Sequence, residues 1–88
     1  MTGRTPKKTA ASAKELAKFA HTAYTTIDYW TEKGLLEYQR LNGRIREYPL
    51  AENLLRCRFI QQMQKKSEGV SLDAIKALIH AGKHREDR

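Results

Sequence analysis

Cysteine is nearly absent, long apolar runs are missing and acid is outnumbered by base, and each shortage removes a class of protein. A lone Cys57 among 88 residues excludes an internal disulfide and a cysteine-based zinc site. Its place in an apolar helical pattern predicts a buried, inert thiol. No segment approaches the ~18 consecutive apolar residues of a membrane span. The basic N-terminus is not followed by an apolar stretch of ~7–15 residues, so it does not read as a secretory signal, and a reducing cytoplasm is the expected compartment. There is no glycine-rich phosphate loop, zincin motif, paired-carboxylate signature or nucleophile–base pattern. No enzyme, cofactor or small-molecule site is therefore expected. His80 and His84 stand at helical spacing, but Gly82 lies between them without a third ligand nearby, so no metal site is expected either. Internal repeats and heptad arrays are also missing.

What is present is positive charge. Seventeen Lys and Arg against ten Asp and Glu leave a formal charge of +7. On so small a body that excess favours a polyanionic partner, of which nucleic acid is the commonest. The length suits one domain and not two. With 40% apolar and 31% charged residues, a small helical fold with a large wet surface is expected.

Along the chain, residues 1–11 carry Arg4, Lys7 and Lys8 without acid, and read as a disordered basic arm. Ser12 and Glu15 form a capping box for a first helix over 13–20. Leu16, Phe19 and Ala20 share one face of it. Thr22 is the expected N-cap of a second helix over 23–33, with Ala23, Ile27 and Trp30 inward and Gly34 at its left-handed end. Residues 36–40 and 44–48 alternate about Leu41, Asn42 and Gly43, and Asn-Gly is a strong hairpin signal. A ribbon is predicted with Leu36, Tyr38 and Ile45 toward the core and Arg44 and Arg46 in water. Pro49 suits the first turn of a third helix reaching residue 67, with Leu50, Leu54, Cys57, Ile60 and Met63 inward. Gly69 ends it. Ser71 caps a fourth helix carrying Leu72, Ile75, Leu78 and Ile79, with Val70 stapled to Ile75, and Gly82 stops it. A mainly α fold follows, in the order helix, helix, hairpin, helix, helix. This is a winged helix-turn-helix over 12–81 with a flexible polar tail at 82–88. Such a second helix is the size that enters a major groove.

Ser12, Ala13, Lys14, Glu15, Leu16 and Ala17, then residues 26–36 from Thr26 through Trp30 and Gly34 to Leu36, then Asn42, Gly43, Arg46, Glu47 and Tyr48, then residues 68–75 from Glu68 to Ile75, occur in that order. Together they resemble the DNA-binding domain of MerR-type transcriptional regulators, over about residues 12–79. The resemblance implies a bacterial-type regulator with its second helix in the major groove and its wing on flanking backbone or minor groove. It matches the family's aromatic pair to Tyr29 and Trp30, and its wing arginine and tyrosine to Arg46 and Tyr48. Members usually bind as dimers and bend or untwist promoter DNA. Here Asp28 stands where the family usually has arginine, and one extra residue lies between Gly43 and Arg46. Members also continue into a long dimerisation helix, so a homodimer on DNA would form through an element missing here or external to the chain. The chain reads either as a DNA-binding fragment or as a short member.

Candidate DNA-contacting residues are Tyr24, Thr25, Thr26, Tyr29 and Lys33 on the second helix and Arg40, Asn42, Arg44, Arg46 and Tyr48 on the wing. Short hydroxyls and rings suit close approach to base edges, a tyrosine phenol can position phosphate, and arginine suits a narrowed minor groove. Trp30 is expected in the core instead. The helix itself is formally acidic, with Asp28 and Glu32 against Lys33, so attraction must come from the wing, the third helix and the arm. Sequence-specific binding to double-stranded DNA, in association with the nucleoid, is the expected role. Two alternatives stand beside it: an excisionase-like architectural factor, which is also short, basic and winged, and a protein-interaction adaptor, which the acidic helix favours.

Overall fold

The computed structural model of the chain describes residues 9–41, 43, 45–66 and 69–85. The expectations for Arg4, Lys7, Lys8, Asn42 and Arg44 lie outside the described residues. The elements run β1 (Ala10–Ala11), α1 (Ala13–Ala20), α2 (Tyr24–Glu32), β2 (Gln39–Arg40), β3 (Arg46–Pro49), α3 (Leu50–Lys66) and α4 (Leu72–His80), followed by a 3-10 turn at Lys83–Arg85. The mainly helical, winged architecture expected from the sequence is the one observed.

Local chemistry sets most boundaries. The Glu15 amide donates to Ser12 Oγ at 3.2 Å while the Ser12 amide donates to Glu15 Oε1 at 3.0 Å, which pairs two otherwise orphaned helix-end donors. At the other end His21 adopts a left-handed conformation, φ 56°. Thr22 is not the cap of α2. Its amide turns back to the Ala17 carbonyl at 3.0 Å, so it completes the end of α1, and Ala23 becomes the N-cap without a side-chain bond. Ala23 itself is exposed and not inward. Gly34, with φ 81°, ends α2 as its position predicts, because a left-handed residue there needs no Cβ.

Tyr48, Leu16, Ile27, Leu35, Ile60, Ile75 and Ile79 are fully buried, with Trp30, Leu36, Leu50 and Cys57 beside them. Of the inward residues expected on α3, Leu54 and Met63 are only half-buried. The helix instead buries Asn53 and Arg56. Buried polar groups need partners, and Asn53 has them. Its Nδ2 donates to the Pro49 carbonyl at 2.7 Å and to the Glu37 carbonyl at 2.9 Å, and its Oδ1 accepts from the Glu37 amide at 2.9 Å. One side chain thus ties the start of α3 to the approach of β2. Pro49 closes β3 and α3 begins one residue later. Ser71 caps α4 as expected, accepting from the Ala74 amide at 3.1 Å.

Parts of two segments expected to lack order are built into the fold. Ala10 and Ala11 form an edge strand opposite Pro49 and Tyr48, so the sheet order is β1-β3-β2 and the basic arm cannot extend to residue 11. At the far end, Gly82 is followed by a 3-10 turn that buries His84. Glu52 on α3 holds that turn. It accepts from Arg85 at 2.8 Å and lies 2.7 Å from His84 Nε2, and it also accepts from Arg56 Nε at 2.8 Å. Residues 83–85 are therefore part of the domain rather than of a flexible tail.

The ribbon is paired two residues away from the register that a 41–43 connection implies, which would set Arg40 opposite residue 44. Gln39 faces Glu47 and Arg40 faces Arg46, and the Leu41 amide donates to the Ile45 carbonyl at 2.8 Å. Pairing therefore runs on to Leu41 and Ile45, past the expected start of the connection at residue 41. A shift of two residues keeps the faces, because strand side chains alternate with period two; the buried Tyr48 is what sets them. Arg46 and Tyr48 turn toward the helices and Ile45 turns outward. Tyr38, expected inward, is also exposed. Among the described residues no helix is long and apolar enough to cross a membrane.

Candidate nucleic-acid interface

Along α2, residues 27, 30 and 31 are buried while 24, 25 and 29 are exposed, the division that 3.6 residues per turn imposes on a helix lying against a core. Trp30 is a core residue at 4% exposure, as expected from its size. Tyr24 and Tyr29 project at 46% and 50% exposure, with Thr25 between them and Thr26 half-buried. Each exposed tyrosine carries an ammonium: Lys14 Nζ lies 5.8 Å from the Tyr24 ring centre and Lys33 Nζ lies 5.5 Å from that of Tyr29. Such cation–π contacts leave the ammonium in water and available to a phosphate. Lys14 was not anticipated. Nothing in the sequence links positions 14 and 24, which meet because α1 and α2 pack together.

The wing is joined to this surface directly. Arg46 Nη1 donates to Asp28 Oδ1 at 3.0 Å, and its guanidinium lies 5.1 Å from the Tyr38 ring centre. The Arg40 guanidinium lies 5.9 Å from the same ring centre, and its Nη1 donates to the Gly43 carbonyl at 2.7 Å. Tyr38, not anticipated as a site residue, thereby organises both wing arginines. Asp28, which the sequence presents as a defect in a DNA-reading helix, has its charge balanced across the helix–wing junction.

Tyr48 is the site residue that the structure corrects. It is fully buried, its hydroxyl 2.9 Å from that of Thr31, while Thr31 Oγ1 donates to the Ile27 carbonyl at 2.7 Å. A phenol held there cannot touch a ligand at the surface. Its burial follows from the packing of that face of β3 on α2, where Thr31 meets it.

Burial pushes the Cys57 thiol up to about 12, so the reactive thiolate is scarce at neutral pH. His84 Nε2 is engaged by Glu52, and no group of three side chains suited to a metal ion is found among the described residues.

The accessible candidates, Tyr24, Thr25, Tyr29, Lys33 and Arg40, with half-buried Thr26 and Arg46, thus lie on or beside α2 and the wing. Against known protein families, residues 11–82 match the model described as MerR HTH family regulatory protein. No curated protein and no solved structure matches the chain.

Proposed function

Because the chain belongs to the MerR family of helix-turn-helix regulatory proteins, a family of DNA-binding transcription regulators, we propose that it reads duplex DNA through two joined elements. The α2 helix lies in the major groove, where Thr25 and Thr26 approach base edges and Tyr29 positions a phosphate. The wing holds flanking backbone or minor groove through Arg40 and Arg46, with Lys14 and Lys33 on the phosphates beside α2. The observation that carries this arrangement is the 3.0 Å bond from Arg46 to Asp28, which makes helix and wing one continuous surface.

The same bond weakens the adaptor alternative, since the carboxylate that favoured it is paired with a wing cation. As a homodimer, the protein would place two such helices about 34–36 Å apart, one turn of the duplex.

Selection from a randomised duplex library, followed by titration across salt, tests the proposal. If about five phosphates are neutralised, log K falls with log salt at a slope of roughly −4 to −5. A slope near zero removes the electrostatic contribution. A folded protein that binds no duplex at low salt overturns the function proposed.

A further inference from the structure

We propose that Leu41 and Ile45 form an apolar wedge at the tip of the wing that enters the minor groove of a bound duplex and unstacks a base step. Resting on the assignment of the wing to DNA, the proposal adds a contact of a different chemistry from the arginines. Leu41 is 52% exposed and Ile45 55% exposed. A single exposed aliphatic residue means nothing, but these two are directly opposed. The Leu41 amide donates to the Ile45 carbonyl at 2.8 Å, and opposed residues of an antiparallel pair project to the same side.

Next to them along the ribbon, Arg40 opposes Arg46 and projects to the other side, where Tyr38 receives both guanidiniums. The outer end of the described ribbon therefore carries an aliphatic pair on one side and, one position back, a cationic pair on the other. Folding does not explain the aliphatic pair, because neither side chain contributes to the core.

A protein partner fits this tip poorly. A standard protein interface buries about 800 Å² on each side, which two side chains on a narrow projection cannot supply, and the chain's net charge of +7 points to a polyanion. A minor groove fits both features. Its phosphate walls attract Arg40 and Arg46, and its floor accepts one or two apolar side chains wedged into a step. Pyrimidine–purine steps yield most readily.

The test uses the full chain and a duplex recovered from the library selection, with 2-aminopurine placed in turn through the flank that the wing reaches. With wild-type protein, fluorescence rises at one step on binding. In the Leu41→Ser, Ile45→Ser double variant the rise is expected to fall by at least about fivefold while the duplex remains bound. Leu41→Met with Ile45→Val restores it. Both positions are exposed, so thermal melting of the variants should match wild type and exclude misfolding.

An unchanged fluorescence rise in the serine double variant, or no rise in a fully bound wild-type complex, overturns the wedge while leaving the DNA-binding function intact. Loss of self-association in the serine variant with unchanged fluorescence assigns the pair to protein contact and also overturns it. Failure of folded wild type to bind any duplex overturns the proposed function, and the wedge with it.

Discussion

The wing and the C-terminal clasp are both held by charged side chains, yet in opposite physical regimes. At the wing, Arg46 and Asp28 meet at 3.0 Å with 26% and 43% of their side chains exposed. At the clasp, Glu52 is 17% exposed, Arg56 10% and His84 1%. An ion pair in water contributes about 0.2–1 kcal/mol and can exchange partners readily. Groups withdrawn from water cannot, because losing one partner strands the others without solvation. The clasp therefore fixes the scaffold, and the wing pair is free to respond to a ligand.

The sharpest test of that contrast is Glu52→Gln. It removes the charge that Arg56, His84 and Arg85 share and leaves a nearly buried guanidinium with fewer partners. A loss of about 2–4 kcal/mol is expected, a fall in Tm of roughly 10–20 °C for a domain of this size. Thermal melting by circular dichroism measures it. A fall below about 3 °C would mean that the clasp is no firmer than the wing.

Acid should act on the same place. Burial by itself raises the Glu52 carboxyl, but hydrogen bonds from Arg85, Arg56 and His84 outweigh it and lower the group to about 2 from an ordinary 4.5. A carboxylate with a depressed folded value stabilises fully above its unfolded value and loses that contribution as pH falls through the folded one. The window is thus pH 4.5 down to about 2, and the share lost is about 3 kcal/mol. Urea melts of wild type and Glu52→Gln across that range should converge as pH falls. Parallel curves would show that Glu52 is not the group responsible.

The clasp and the wing also differ in how far the sequence announced them. The capping box at Ser12 and Glu15, the cap at Ser71 and the glycine at 34 are local devices, complete within a few residues, and each is found where its residues predict. The existence of the wing was legible for the same reason. Its pairing was not, because an Asn-Gly signal locates a turn only to within a residue, and alternation alone does not say which face of β3 meets α2. The deciding interactions are tertiary: Tyr48 beside Thr31, and Arg46 beside Asp28, both joining β3 to α2. Two alanines carry no pattern that reveals β1. Glu52 and His84 are separated by 32 positions, and nothing in either neighbourhood announces the other. At the candidate interface, the residues on α2 followed from helical period, whereas Lys14, Tyr38, Leu41 and Ile45 became visible only through contacts or exposure.

Asp28→Asn is the gentlest probe and the one aimed at the wing. Stability should change by less than about 1 kcal/mol, because both partners are substantially hydrated. Binding should change in the other direction from most interface substitutions. Removing a carboxylate from the duplex-facing side and releasing Arg46 to a phosphate should tighten binding by roughly 3–10-fold at low salt and steepen the salt slope by about 1. Glu32→Gln removes the same formal charge from the same helix without freeing Arg46, so it should tighten binding less and leave the slope unchanged. Anisotropy titrations of both variants over a salt series separate the two effects. Weaker binding by Asp28→Asn would mean that Asp28 aims Arg46 at the duplex rather than competing with it, making the junction a fixed part of the reading surface instead of an exchangeable one.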